Sequence, residues 1–181
     1  TYNQDGTLLA CADNKGIVWL WDMVTMSELA RLSDSSIRAN ALAFDPEGSR
    51  LAATASLSDP SVVVWDITSK KVLARFSGSQ KGFSALTFSP DGKSVAAGET
   101  SRLGWGRAAI RIWDVSGGLE RTVLQGHNGS ILGLAYSPDG KTLASCCHTD
   151  RRVKIWDLAT SQAITTRPQP PAELAGVVLS T

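Results

Sequence analysis

Short, mostly apolar runs separated by turn-forming clusters organise this chain. Residues Ile131 to Tyr136 and Thr142 to Cys147 are two such runs, with Ser137-Pro138-Asp139-Gly140 between them. Proline pre-sets the second position of a type I turn and glycine suits the fourth, so the pattern predicts a two-strand hairpin. Val153-Lys154-Ile155-Trp156 then alternates apolar and charged positions, as a third strand with one solvated face does, and Gln162 to Thr166 predicts a weaker fourth. Apolar stripes at helical spacing are interrupted by Gly, Pro or turn clusters, so no helix is predicted. The expected unit is four short antiparallel strands in an all-β fold.

The unit recurs. Trp-Asp pairs stand at Trp21-Asp22, Trp65-Asp66, Trp113-Asp114 and Trp156-Asp157, at intervals of 44, 48 and 43 residues. A second marker runs in phase, as Tyr2-Asn3-Gln4-Asp5-Gly6, Phe44-Asp45-Pro46-Glu47-Gly48, Phe88-Ser89-Pro90-Asp91-Gly92 and Tyr136-Ser137-Pro138-Asp139-Gly140. Two markers sharing one period establish a tandem repeat. Units are expected at about 1–33, 34–77, 78–125 and 126–168, with a partial unit at 169–181.

Four-stranded units of this length, with Trp-Asp closing the third strand, resemble the WD40 repeat family, whose fold is the β-propeller. One complete Gly-His pair, Gly126-His127, adds to the likeness, and the equivalent positions elsewhere are Asp34-Ser35, Gly78-Ser79 and Gln169-Pro170. The resemblance implies a buried network of His127, Ser145, Asp150 and Trp156 in the fourth unit. An indole N–H and an imidazole are tolerable inside a fold only when each finds a partner. The family's spacing from Ser to Trp is one residue shorter than that from Ser145 to Trp156, which leaves Cys146 as the alternative in that register. Lys15 and Arg107 stand at the Asp position in the first and third units. The second keeps Asp59 but has no His, so only the fourth can form the whole network.

Composition narrows the function. With 18 Lys plus Arg against 17 Asp plus Glu, the chain has no electrostatic bias toward nucleic acid or anionic lipid. The longest apolar runs, Ile17 to Trp21 and Val62 to Trp65, are far short of a membrane span, so no membrane insertion is expected. Half of the 12 aromatic residues are Trp, an excess that the repeat accounts for. Cys11, Cys146 and Cys147 are an odd count with two adjacent, which suits a reducing, intracellular setting, cytoplasmic or cytoskeletal.

Chemistry is sparse. Two histidines, His127 and His148, give hydrolytic triads and metal sites little material, so no catalysis, cofactor or metal is expected. Gly92-Lys93-Ser94 and Gly140-Lys141-Thr142 resemble the end of a phosphate loop, but Thr87 and Ala135 stand where its first glycine belongs. Partner contacts are expected at a rim: Arg38 and Asn40, Ser84 and Leu132 take equivalent innermost-strand positions, and His148 lies at a hairpin tip. The third unit's hairpin is widened and carries Arg102, Trp105 and Arg107, the residue types of interface hot spots. Pro168-Gln169-Pro170-Pro171 favours an extended connector.

The leading expectation is therefore a non-enzymatic scaffold that binds protein or peptide partners. Alternatives are an architectural component of a cytoskeletal or ciliary assembly, or an enzyme with its site at the channel mouth. The chain starts at Thr1 inside one turn motif and ends where the same motif would recur. It is expected to be part of a seven- or eight-bladed ring, completed by further sequence or by a second chain.

Overall fold

The computed structural model describes residues 1–13, 15–33, 39–55, 60–101 and 106–168, with the backbone alone for 165–168. Arg38, Asp59, Arg102 and Trp105 lie outside the described residues, as does the terminal segment 169–181. Among the described residues there is no helix.

Among the described residues, fifteen strands form four antiparallel sheets. The first holds β1 (Leu8–Ala12), β2 (Ile17–Asp22) and β3 (Ser27–Ser33); a single bridge from Tyr2 to Leu9 stands where a fourth strand would lie. The second holds β4 (Leu42–Phe44), β5 (Arg50–Thr54), β6 (Ser61–Asp66) and β7 (Val72–Ser77). The third holds β8 (Phe83–Phe88), β9 (Ser94–Glu99), β10 (Arg107–Asp114) and β11 (Glu120–Asn128). The fourth holds β12 (Ile131–Tyr136), β13 (Thr142–Cys147), β14 (Arg152–Asp157) and β15 (Gln162–Pro168). Each is a simple meander of sequential neighbours, so every sheet is one blade.

The turns explain both markers. Gly6, Gly48, Gly92 and Gly140 donate their N–H to the carbonyl three residues back and take φ between 65° and 75°, a left-handed conformation that glycine adopts without steric cost. The Asp of each Trp-Asp pair caps the next turn. Asp22 accepts from Val24 and Thr25 N–H, Asp66 from Ser69, Asp114 from Ser116 and Gly117, and Asp157 from Thr160. The Ser69 and Ser116 hydroxyls at Asp66 and Asp114, together with these backbone bonds, hold all four carboxyls below the usual carboxylate range.

Three hydrophobic cores of the described residues lie between blades rather than within them. On β6, Val63 and Trp65 pack toward the first blade while Val62 and Val64 pack toward the third, because successive strand residues point to opposite faces. A strand buried on both faces reads as the continuous run Val62-Val63-Val64-Trp65. Trp65, Trp113 and Trp156 each face the preceding blade. Trp65, Trp113 and Trp156 are 2% exposed, whereas Trp21, whose face meets no preceding blade among the described residues, is 36% exposed.

Candidate functional site

A connected chain of buried polar side chains gathers around Trp156 at the end of β14. Its indole N–H donates to Ser145 Oγ at 2.8 Å. Ser145 Oγ lies 2.7 Å from His127 Nε2, and His127 Nδ1 lies 2.7 Å from Asp150 Oδ2. Donor capacity orders the chain: Ser145 Oγ accepts from the indole and donates its own proton to Nε2, so the Nδ1 proton of His127 goes to Asp150. Asp150 also accepts the Asn128 and Arg152 backbone N–H groups.

The backbone explains this set of residues. Ser145 lies opposite Lys154 and Leu143 opposite Trp156, so Ser145 and Trp156 are diagonal neighbours on one face of the sheet. Cys146 points to the other face, so Ser145 takes the network position that the sequence left open between them. Gly126 has φ +148°, and a Cβ on it would stand 3.4 Å from the Trp156 ring and 3.3 Å from Lys154 Nζ. The positive φ, more than the space, is what favours glycine there.

Burial holds the His127 imidazole below its ordinary value, with Lys154 pushing the same way and Asp150 opposing. Donor atoms of His127, Asp150 and Cys147 lie within 4.8 Å of one another, a grouping that could hold a metal ion. The His127 and Asp150 donors face each other at hydrogen-bond distance, and burial pushes the Cys147 thiol up toward its protonated form. The chemistry this arrangement carries is structural: it anchors an indole.

The rim residues have different surroundings. The Asn40 amide donates to the Phe83 carbonyl at 3.3 Å, and the Ser84 hydroxyl donates to the Ile131 carbonyl at 2.7 Å. Each ties its own blade to the innermost strand of the next. Leu132 at the equivalent place has no donor. His148 is exposed at the β13–β14 turn, and its N–H donates to the Ser130 carbonyl.

Arg107 is exposed at the start of β10, at the edge of a cavity of about 450 Å³ that Gln80, Lys81, Glu99 and Arg111 also line. Lys81 Nζ donates to the Arg107 carbonyl at 2.5 Å. Glu99, only 4% exposed, accepts from Arg111 Nε at 2.9 Å and from the Ala109 N–H at 3.0 Å. Glu99, the last residue of β9, is a residue of this cleft that sequence reasoning missed. Its one signal is a carboxylate ending an otherwise apolar strand.

The architecture and the Trp-Asp turns point to one family, and the family comparison agrees. The pattern described as WD domain, G-beta repeat matches residues 27–66, 70–114 and 118–157. The chain belongs to the WD40 repeat family. Each match starts near the outer strand of one blade and ends at the Trp-Asp of the next, so the sequence repeat straddles two blades.

No curated protein matches the sequence. Among solved structures, a chain of the "Crystal Structure of Mitotic Checkpoint Complex" is similar over 97% of this chain and 52% of its own, at 18% identity and a TM-score of 0.82. The Kuenenia stuttgartiensis hydrazine synthase is similar over 92% of this chain and 47% of its own, at 24% identity and a TM-score of 0.80. These likenesses carry the fold alone. This WD40 chain spans about half the length of both. WD40 propellers generally act as protein-interaction scaffolds and are generally non-enzymatic.

Proposed function

We propose that this chain is a non-enzymatic scaffold that binds a protein or peptide partner at the third blade, over the cleft beside Arg107. The cleft carries the reading. At about 450 Å³ it has the size of a binding pocket, and it lines up Lys81, Arg107 and Gln80 beside the widened hairpin. The buried carboxylate there, Glu99, already holds Arg111. The fold's occurrence in a mitotic checkpoint complex supports a place in a protein assembly.

Three free cysteines support a reducing, intracellular setting, although two of them are buried. The exposed face of Trp21 supports completion of the ring by further blades or by a second chain.

The test is affinity capture from cell extract with the wild-type chain and a Lys81→Ala/Arg107→Ala double variant, with mass spectrometry of the retained proteins. A partner retained by the wild type and lost by the double variant supports the site. Retention of the same partners by both chains refutes it. Trp105→Ala, in the same hairpin, is expected to weaken capture further.

A further inference from the structure

Grooves between successive blades, on the face that carries the aromatic-turn motifs, are built from equivalent parts. A Cβ on Gly92 would stand 3.6 Å from Pro46 Cδ, and one on Gly140 would stand 3.7 Å from Pro90 Cδ. The facing turns therefore approach each other alike at the second–third and third–fourth interfaces. What lies between them differs.

In the second–third groove the space is filled by Arg50 of β5. Its Nε donates to Asp45 Oδ2 at 2.8 Å, and its guanidinium carbon lies 5.9 Å from the centre of the Phe88 ring. Its Nη2 reaches within 2.8 Å of the place a Gly92 Cβ would take. In the third–fourth groove the pairing register puts Ser94 at the place of Arg50, since Arg50 lies opposite Asp66 and Ser94 opposite Asp114. Tyr136 takes the place of Phe88. With the long side chain gone, a cavity of about 440 Å³ opens there, lined by Pro90, Asp91, Ser94, Ile112, Tyr136 and Leu158 among others.

We propose that this cavity receives an arginine side chain from a partner peptide, seated where Arg50 sits one blade earlier. The aliphatic stem fits against Pro90, Ile112 and Leu158, and the guanidinium meets an aromatic ring as Arg50 meets Phe88. Charge at the rim suits a cation. Asp91 Oδ1 accepts the Ser89 hydroxyl at 2.6 Å and the Lys93 N–H at 3.0 Å, bonds that hold its carboxyl ionised. Asp139, also lining the cavity, is held the same way by Ser137 and Lys141.

The lining also holds Arg121, which is turned to Asp114 at 2.5 Å and whose charge is felt at Asp91 and at the Tyr136 hydroxyl. The Tyr136 hydroxyl is buried with no hydrogen-bond partner, and burial followed by the Asp91 charge holds the phenol neutral. An orphaned buried hydroxyl is a standing cost to the fold. An occupant that brings an N–H donor to it removes that cost.

The probe is N-acetylarginine N-methylamide, titrated into the isotope-labelled chain and followed by NMR, with the neutral isostere N-acetylcitrulline N-methylamide as the comparison. The arginine probe is expected to shift the Tyr136 and Ile112 side-chain signals saturably, and the citrulline probe to bind at least about tenfold more weakly. Ser94→Arg supplies an occupant from within and is expected to abolish the saturable shift and raise the melting temperature. Asp91→Asn is expected to weaken the arginine probe about tenfold, and keeps the test decisive should the S94R chain not fold. Equal binding of the two probes, no saturable shift with arginine, or unchanged binding in D91N overturns the proposal. Because the probe is a small molecule, failure here leaves the reading of the Arg107 cleft standing.

Discussion

Trp113 and Trp156 hold the same register in adjacent blades and are equally buried at 2% exposure, yet the chain anchors them by different chemistry. Trp156 hangs from the Ser145–His127–Asp150 chain, with the imidazole edge-on at 6.0 Å. In the third blade the corresponding positions are Ala97, Ser79 and Arg107. There Trp113 stacks on Phe76 at 5.5 Å and 13°, and meets the edge of Phe83 at 5.7 Å. The two phenylalanines in turn correspond to Leu124 and Ile131 beside Trp156.

One interface thus pairs aliphatic neighbours with a polar network, and the other pairs aromatic neighbours with none. An aromatic cage contributes about 0.5–1.5 kcal/mol per ring pair beyond area and loses it gradually. A buried polar chain fails sharply, because removing one member leaves the rest unsatisfied.

The largest perturbation treats both sites alike. Trp113→Ala and Trp156→Ala are each expected to destabilise by about 3–5 kcal/mol in chemical denaturation, because the removed volume dominates. A large difference between them would show that the anchors, not the indoles, carry the stability.

Ser145→Ala separates the sites. It strips the acceptor from the Trp156 N–H and the donor from His127, and is expected to cost about 2–3 kcal/mol, more than its volume warrants. Phe76→Leu, the matching change beside Trp113, is expected to cost about 1–1.5 kcal/mol. Equal losses from these two variants would break the comparison.

The smallest effect is in pH. The folded pKa of His127 lies below the ordinary 6.5, so the unfolded chain binds its proton first as pH falls. The stabilisation is present above about 6.5 and is lost progressively as pH drops from there toward the folded value. Melting temperatures read between neutral pH and pH values around 5.5 should fall, and in His127→Asn that part of the fall should vanish. Phe76→Leu should keep it.

Much of this was legible in the residues. Trp-Asp spacing, the Pro-Asp-Gly turns and the Val62-Val63-Val64 run are local patterns, and each appears in the structure as the element it predicts. The His127 network was also named, with Ser145 and Cys146 both open. Only the strand register chose Ser145, because side chains on one strand alternate faces and just one of the two can point at Trp156. Asn40 and Ser84 looked like partner contacts because they share a strand position, and the structure adds that both reach the next blade's backbone. A hydrogen bond to a carbonyl 43 or 47 residues away has no signature in a local window.

The division follows from the range of the interactions. Strand number, period and turn type depend on residues within a few positions of one another, through φ preferences, side-chain alternation and short capping bonds, so the chain alone specifies them. The filling of a groove depends on residues one repeat apart that meet only when two blades pack. Arg50 and Ser94 are unremarkable as letters at equivalent places; packed against Phe88 and Tyr136, one closes its groove and the other leaves a cavity of about 440 Å³. That difference belongs to the tertiary structure, because volume and charge at an interface are shared between two blades and are written in neither.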